Sequence, residues 1–299
     1  MSVKYTHSHN VQNYNKAFGF GIALNISYII VEVIYGFLIN SMALLADAGH
    51  NFSDVLGLLL AWGGTYLAKT AVTKSRTYGL RKATVLAALF NALILLIAVG
   101  AIAIEAIRKI SEPESIQGTT MMIVAGVGVI INTLTALLFL KGREKDINIQ
   151  GAFLHMAADA GVSLGVVATG FLINITGFYL LDPIISFVIV VVITIGTWGL
   201  LRDSFHLSMD AVPRGIDLEK VQDYLNSLDG VEEVLDLHIW AMSTTEIALT
   251  VHLIMPNDIK NDHLLKKICK DLMDNFGIEH PTIQIEKSAQ SANCENDSV

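Results

Sequence analysis

Two segments of this chain place a histidine and an aspartate four residues apart within apolar surroundings: His50-Asn51-Phe52-Ser53-Asp54 and, later, His155-Met156-Ala157-Ala158-Asp159. Residues i and i+4 share one face of an α-helix, so each segment presents one imidazole and one carboxylate together. Two such helices facing each other offer two nitrogens and two oxygens, a set that suits a tetrahedral divalent metal. An aspartate near the middle of a membrane helix costs roughly 2.5–3.5 kcal/mol on insertion scales. Hydrogen bonds to neighbouring helices could meet that cost for a single pair; the repetition at identical spacing favours a metal. Imidazole with carboxylate points to Zn²⁺, with Cd²⁺ and Co²⁺ as relatives, whereas all-oxygen sets suit Mg²⁺, Ca²⁺ or Mn²⁺ and thiolate sets suit copper. Two carboxylates balance the ion's charge, and an imidazole must be unprotonated to bind. Metal and protons therefore compete for the site, and coupling to a proton gradient follows.

The elements that must position these groups are membrane helices. With 299 residues, a mean hydropathy of +0.53 and only 16% charged residues, the chain is too apolar for an ordinary soluble domain. Six spans of about twenty apolar residues are expected, near 17–39, 42–68, 82–107, 119–140, 149–175 and 179–201. The His/Asp pairs fall in the second and fifth, both amphipathic. Lys69, Lys74, Arg76, Arg81 and Lys82 follow the second span, and Lys141, Arg143 and Lys145 follow the fourth. Between the third and fourth spans Arg108 and Lys109 are balanced by Glu112 and Glu114. This bias places both termini in the cytoplasm. Small residues flank both pairs (Ala46, Ala48, Gly49, Ser53 and Gly57; Ala157, Ala158, Ala160, Gly161, Ser163 and Gly165), as close helix approach requires.

The expected organisation is a cytoplasmic tail over 1–16, a six-helix membrane domain over 17–208, a cytoplasmic domain over 209–287 and a disordered tail over 288–299. The third of these reads as helix 216–228, strands 232–242 and 245–255, helix 260–276 and strand 281–287, an α-β-β-α-β order. It carries His238, His252, His263, His280 and Glu286, candidates for a second metal site. His7 and His9 in the N-terminal tail are either metal-collecting or simply part of that tail. The first fifteen residues lack a signal peptide's apolar run. Cys269 and Cys294 do not suggest a disulfide and fit a reducing compartment.

Other polar groups inside spans carry less weight. Asp47 is either a carboxylate behind the site or a helix-end group, and Asn25, Glu32 and Asn132 either line a cavity or bond between helices, while Glu105 reads as an interfacial charge. An HExxH motif and a Gly-rich phosphate loop are both missing, which argues against a zinc hydrolase and an ATP-driven pump. A net charge of −8 argues against nucleic acid as partner. The reading is a zinc exporter working by alternating access. The alternative is a membrane metal receptor that binds the ion without moving it.

On these residues the chain resembles the cation diffusion facilitator family over nearly its whole length. Ser41-Met42-Ala43-Leu44-Leu45-Ala46-Asp47-Ala48-Gly49-His50 with Asp54 looks like the family signature, and Thr282-Ile283-Gln284-Ile285-Glu286 like its last strand. The resemblance implies a homodimeric divalent-metal/proton antiporter in the lipid bilayer, with a ferredoxin-like, metallochaperone-like cytoplasmic domain. It assigns His50, Asp54, His155 and Asp159 to transport, and their pairing is similar to that of the zinc-transporting group. It also implies a salt bridge between Lys82 and Asp210. Two departures matter: Thr73–Arg81 lacks the ligands some relatives carry after the second span, and Gln284 stands where the family's cytoplasmic metal site has a histidine. The compact design suits a prokaryotic inner membrane.

Overall fold

A computed structural model describes residues 15–112, 114–140, 147–256 and 262–288. His7, His9, Lys141, Arg143, Lys145 and Cys294 lie outside them. Six long helices come first: α1 (Asn15–Leu38), α2 (Met42–Ala68), α3 (Ala83–Ser111), α4 (Gly118–Phe139), α5 (Ile147–Thr176) and α6 (Leu181–Ser208). Among the described residues, α3, α6, Gly118–Leu137 of α4 and Phe153–Thr176 of α5 are long and apolar enough to cross a membrane. Ala23–Leu38 of α1 is apolar but shorter. The site-bearing α2 is not among these four.

Two compact units are present, residues 1–56 with 94–197, and 57–93 with 198–299. The first has a core of small and branched side chains, including Ala43, Leu44, Ala46, Val99, Met121, Ala125, Val166, Ile173 and Ile193. Its helix ends are closed by polar groups that hydrocarbon could not replace. α1 stops in a Schellman turn: Asn40 takes φ +61°, Ser41 N donates to Gly36 O at 2.9 Å and Asn40 N to Phe37 O at 3.3 Å. Lys109 Nζ donates to Asn40 O at 2.6 Å. α2 is then capped from 140 residues away, because Asp182 in the first turn of α6 accepts from Met42 N at 2.7 Å, Ala43 N at 3.2 Å and the Ser41 hydroxyl at 2.5 Å. α4 and α5 touch through backbone: a Cβ on Gly118 would stand 2.5 Å from Gly170 O, and one on Gly170 would stand 2.8 Å from Gly118 O.

In the second unit, α7 (Leu218–Asn226) and α8 (Asp262–Phe276) accompany a sheet of β1 (Glu233–Ala241), β2 (Ile247–Ile254) and β3 (His280–Glu286). The strands lie in the order β1-β2-β3, antiparallel then parallel. The amphipathic faces of α7 and α8 close the core, with Val221, Leu225, Ile268 and Leu272 against Leu249, Val251 and Leu253. The α-β-β-α-β order matches the expected one, each boundary within two residues. The unforeseen detail is a bulge in β1: Leu235 pairs with His252 and His238 with Thr250, with Asp236 at φ +51° between them.

Candidate metal centre

The helical period puts His50 and Asp54 on one face of α2, and His155 and Asp159 on one face of α5. The two faces meet. His50 Nε2 lies 3.2 Å from Asp159 Oδ1 and 3.8 Å from Asp54 Oδ2. His155 Nε2 lies 3.2 Å from Asp54 Oδ2 and 3.7 Å from Asp159 Oδ2. Each imidazole therefore faces a carboxylate of the other helix, with the rings edge to face at 6.1 Å. A tetrahedral zinc shell with bonds near 2.0 Å has edges of roughly 3.3 Å, close to the two cross-helix separations of 3.2 Å. His50, Asp54 and Asp159 each offer a ligand atom within 4.8 Å of the others; His155 is not in that group, although its Nε2 lies near both carboxylates. Asp54 Oδ2 and Asp159 Oδ2 are buried and receive no hydrogen bond among the described residues, their histidine neighbours being near but off hydrogen-bond geometry. Buried carboxylate oxygens of this kind fit the donor set of a divalent cation.

A side-chain bond joins α2 to α5 beside the site: the Ser163 hydroxyl, one turn after Asp159, donates to Asp47 Oδ2 at 2.8 Å, while within α2 Asn51 Nδ2 donates to Asp47 Oδ1 at 3.5 Å. Of the small residues flanking the pairs, Ala46, Ala48 and Ser163 are fully buried. A Cβ at Gly161 or Gly165 would meet nothing within 4 Å, so those glycines are not what permits the approach.

The five candidates of the C-terminal unit do not all converge. His252 Nδ1 lies 2.8 Å from Glu286 Oε1, and its Nε2 lies 3.9 Å from Asp236 Oδ2. His238 Nε2 lies 2.8 Å from Asp236 Oδ1. The β1 bulge thus links His238 to His252 through a carboxylate that sequence reasoning passed over, since nothing in Val234-Leu235-Asp236-Leu237-His238 marks a break in strand alternation. His280 sits at the opposite end of β3, six residues or about 20 Å from Glu286 at about 3.3 Å per residue. It lies 2.9 Å from Arg81 Nη1 and belongs with Glu246 and Glu279. His263 stands in the first turn of α8. Gln284 Nε2 donates to Glu286 Oε1 at 2.9 Å, so it buttresses the carboxylate.

Lys82 and Asp210 form the ion pair that the resemblance implied. Asp210 caps α6 in a second Schellman turn, with φ +58° and Ala211 N donating to His206 O at 3.1 Å. Nearby, Arg81 pairs with Glu246 at 2.9 Å and Thr244 N donates to Thr84 Oγ1 at 3.1 Å.

Comparison with known proteins agrees with this architecture. The family description "Cation efflux transmembrane domain" matches residues 20–207, and "Cation efflux protein, cytoplasmic domain" matches residues 213–288. The chain is 33% identical to the metal cation efflux system protein CzcD of Cupriavidus metallidurans, over 96% of this chain and 90% of that one. It is 31% identical to the cadmium, cobalt and zinc/H(+)-K(+) antiporter of Bacillus subtilis, over 95% and 93% of the two chains. With the zinc transporter ZitB of Escherichia coli it shares 33% identity over 95% and 92%. The metal-bound C-terminal domain of the CzcD transporter from Cuprividus metallidurans is 35% identical, covers 24% of this chain and 99% of that domain, and has a TM-score of 0.23. This protein belongs to the cation efflux (cation diffusion facilitator) family and is a membrane metal transporter, not an enzyme.

Proposed function

We propose that the chain exports Zn²⁺ from the cytoplasm in exchange for protons, by alternating access around His50, Asp54, His155 and Asp159, with Cd²⁺ and Co²⁺ as further substrates. The observation that carries this reading is the crossed arrangement of two imidazoles and two carboxylates, each within 3.8 Å of two neighbours. Asp54 and Asp159 neutralise the ion, and the imidazoles bind it through unprotonated nitrogens. On the outward side protons take the place of the metal. Four protein ligands leave no position for an activated water, which separates the site from a hydrolytic one.

In this reading α1–α6 are six spans over residues 17–208, with both termini in the cytoplasm of a prokaryotic inner membrane, followed by a ferredoxin-like domain over 209–287. The α-β-β-α-β order and the match to the cytoplasmic domain support the last assignment, and that domain joins two copies into a homodimer. His252 and Glu286, with Asp236 and His238, are its regulatory metal ligands. His263 is an additional candidate for that domain's metal, and His280 belongs to a different cluster.

The test is zinc uptake into proteoliposomes under an imposed pH gradient, comparing the intact chain with Asp54→Ala and Asp159→Ala. Uptake that tracks the gradient and vanishes in both variants is expected. Zinc binding without gradient-dependent uptake would move the reading to a metal receptor.

A further inference from the structure

The membrane helices hold a second polar cluster that the four-donor site does not use. Glu32 on α1 and Asp47 on α2 are both fully buried, and their carboxyl groups lie within hydrogen-bonding reach of each other. Three donors are aimed at them: the Tyr28 hydroxyl to Glu32 Oε1 at 2.8 Å, the Ser163 hydroxyl to Asp47 Oδ2 at 2.8 Å and Asn51 Nδ2 to Asp47 Oδ1 at 3.5 Å. Glu32 Oε2 has no hydrogen-bond partner among the described residues. On α4, Asn132 is fully buried with both amide atoms unpartnered, one turn beyond Gly128, whose backbone abuts the Tyr28 hydroxyl. The nearest charged groups, His50 on α2 and Asp159 on α5, are turned to each other.

Two ionised carboxylates are acceptors only, so their oxygens cannot face each other in a water-free interior without a positive species between them. No lysine or arginine pairs with either group among the described residues. The donor count leaves one hydrogen missing, at the orphaned Glu32 Oε2. We propose that Glu32 and Asp47 form an acid pair holding one exchangeable proton, separate from the metal-binding imidazoles. The inference rests on the antiport reading above. Ser163 on α5 stands one turn from Asp159, so closure of α2 and α5 on a metal moves the one cross-helix donor to Asp47 among the described residues. The ion also brings positive charge within a turn of that carboxyl. The O–H bond of the pair then breaks, the proton leaves to water, and the charge of the incoming ion takes the proton's part in balancing the two carboxylates, which retain the Tyr28 and Asn51 donors.

The experiment is infrared difference spectroscopy of the full chain in lipid vesicles, metal-free and with zinc. The expected result is a carboxylic-acid carbonyl band, shifted in heavy water and diminished by zinc, that is missing from both Glu32→Gln and Asp47→Asn. In Tyr28→Phe the same band moves but survives. Proton release on zinc binding falls by about one per ion in Glu32→Gln. A band that persists in either carboxamide variant, or no such band in the intact chain, overturns the proposal. So does a band that stays constant while zinc binds. Loss of the band on adding Na⁺ or K⁺ overturns it in favour of an alkali ion. Zinc-induced carboxylate changes that depend on Asp54 and Asp159 report the transport site independently. Their absence, with the acid band still removed by Glu32→Gln, would mark failure of the antiport reading and not of the acid pair.

Discussion

Asp182→Ala asks whether α2 is held in place from the far end of the sequence. The carboxyl accepts from Met42 N at 2.7 Å, Ala43 N at 3.2 Å and the Ser41 hydroxyl at 2.5 Å. Ser41 and Ala43 are fully buried, and no water can replace the lost acceptor in such surroundings. Stranding two backbone N–H groups costs about 1–3 kcal/mol each, and losing the buried carboxylate returns part of that, for a net loss of roughly 3 kcal/mol. His50 lies eight residues beyond Met42, about 12 Å along the helix at 1.5 Å per residue, so the damage reaches it only through the tilt of α2. Thermal unfolding in detergent, followed by circular dichroism, should show a midpoint lower by roughly 5–8 °C in a chain of this size. Calorimetry on the same samples should show zinc affinity reduced no more than about tenfold. Asp182→Asn retains one acceptor oxygen and should lie between. A midpoint within about 1 °C of wild type for the alanine variant, or an asparagine variant worse than alanine, would refute the capping account.

Gly170→Ala places a methyl 2.8 Å from Gly118 O and 2.9 Å from Met122 Cγ, and should lower stability by about 1–3 kcal/mol; Gly161→Ala, which meets nothing within 4 Å, should not destabilise the protein, and the same unfolding assay compares them. The Lys82–Asp210 pair is well exposed on both sides, so a double-mutant cycle should give a coupling below about 1 kcal/mol that shrinks further in high salt. The side chain of Lys220, by hydrogen bonding, holds the Asp217 carboxyl below its ordinary value, and Asp217 also accepts from Lys220 N at the start of α7. Its contribution is therefore present above the unfolded value of about 3.9 and lost as pH falls through the lower folded one, so the unfolding midpoints of wild type and Asp217→Ala should differ near neutrality and converge in acid.

The meeting of the two His/Asp pairs was legible because two independent constraints coincide in sequence: a helical period that is purely local, and the cost of ionisable groups among apolar neighbours. The order of elements after residue 209 was legible for the same local reasons, through Val221 and Leu225 on α7 and the alternation around Val251. What escaped depends on distant partners or on backbone shape. Asp182 gives no local sign that it caps a helix beginning at Met42. Asp236 looks like any strand residue until the bulge turns it between two histidines. Glu32 and Asp47 stand out as buried acids, but only the fold brings them together. His280 and Glu286 are close in sequence, yet an extended strand carries them to opposite ends of the sheet.

The four proposed ligands differ sharply in their contact with solvent: the His155 side chain is 44% exposed, Asp54 27%, His50 21% and Asp159 only 2%. On the transport reading proposed above, a hydrated ion would meet these groups in sequence and shed its water shell stepwise, with the imidazole of His155 as first handhold and the carboxylate of Asp159 as last. Loading and retention would then fall to different residues: the outermost group would govern how fast an ion is captured, and the innermost how long it stays.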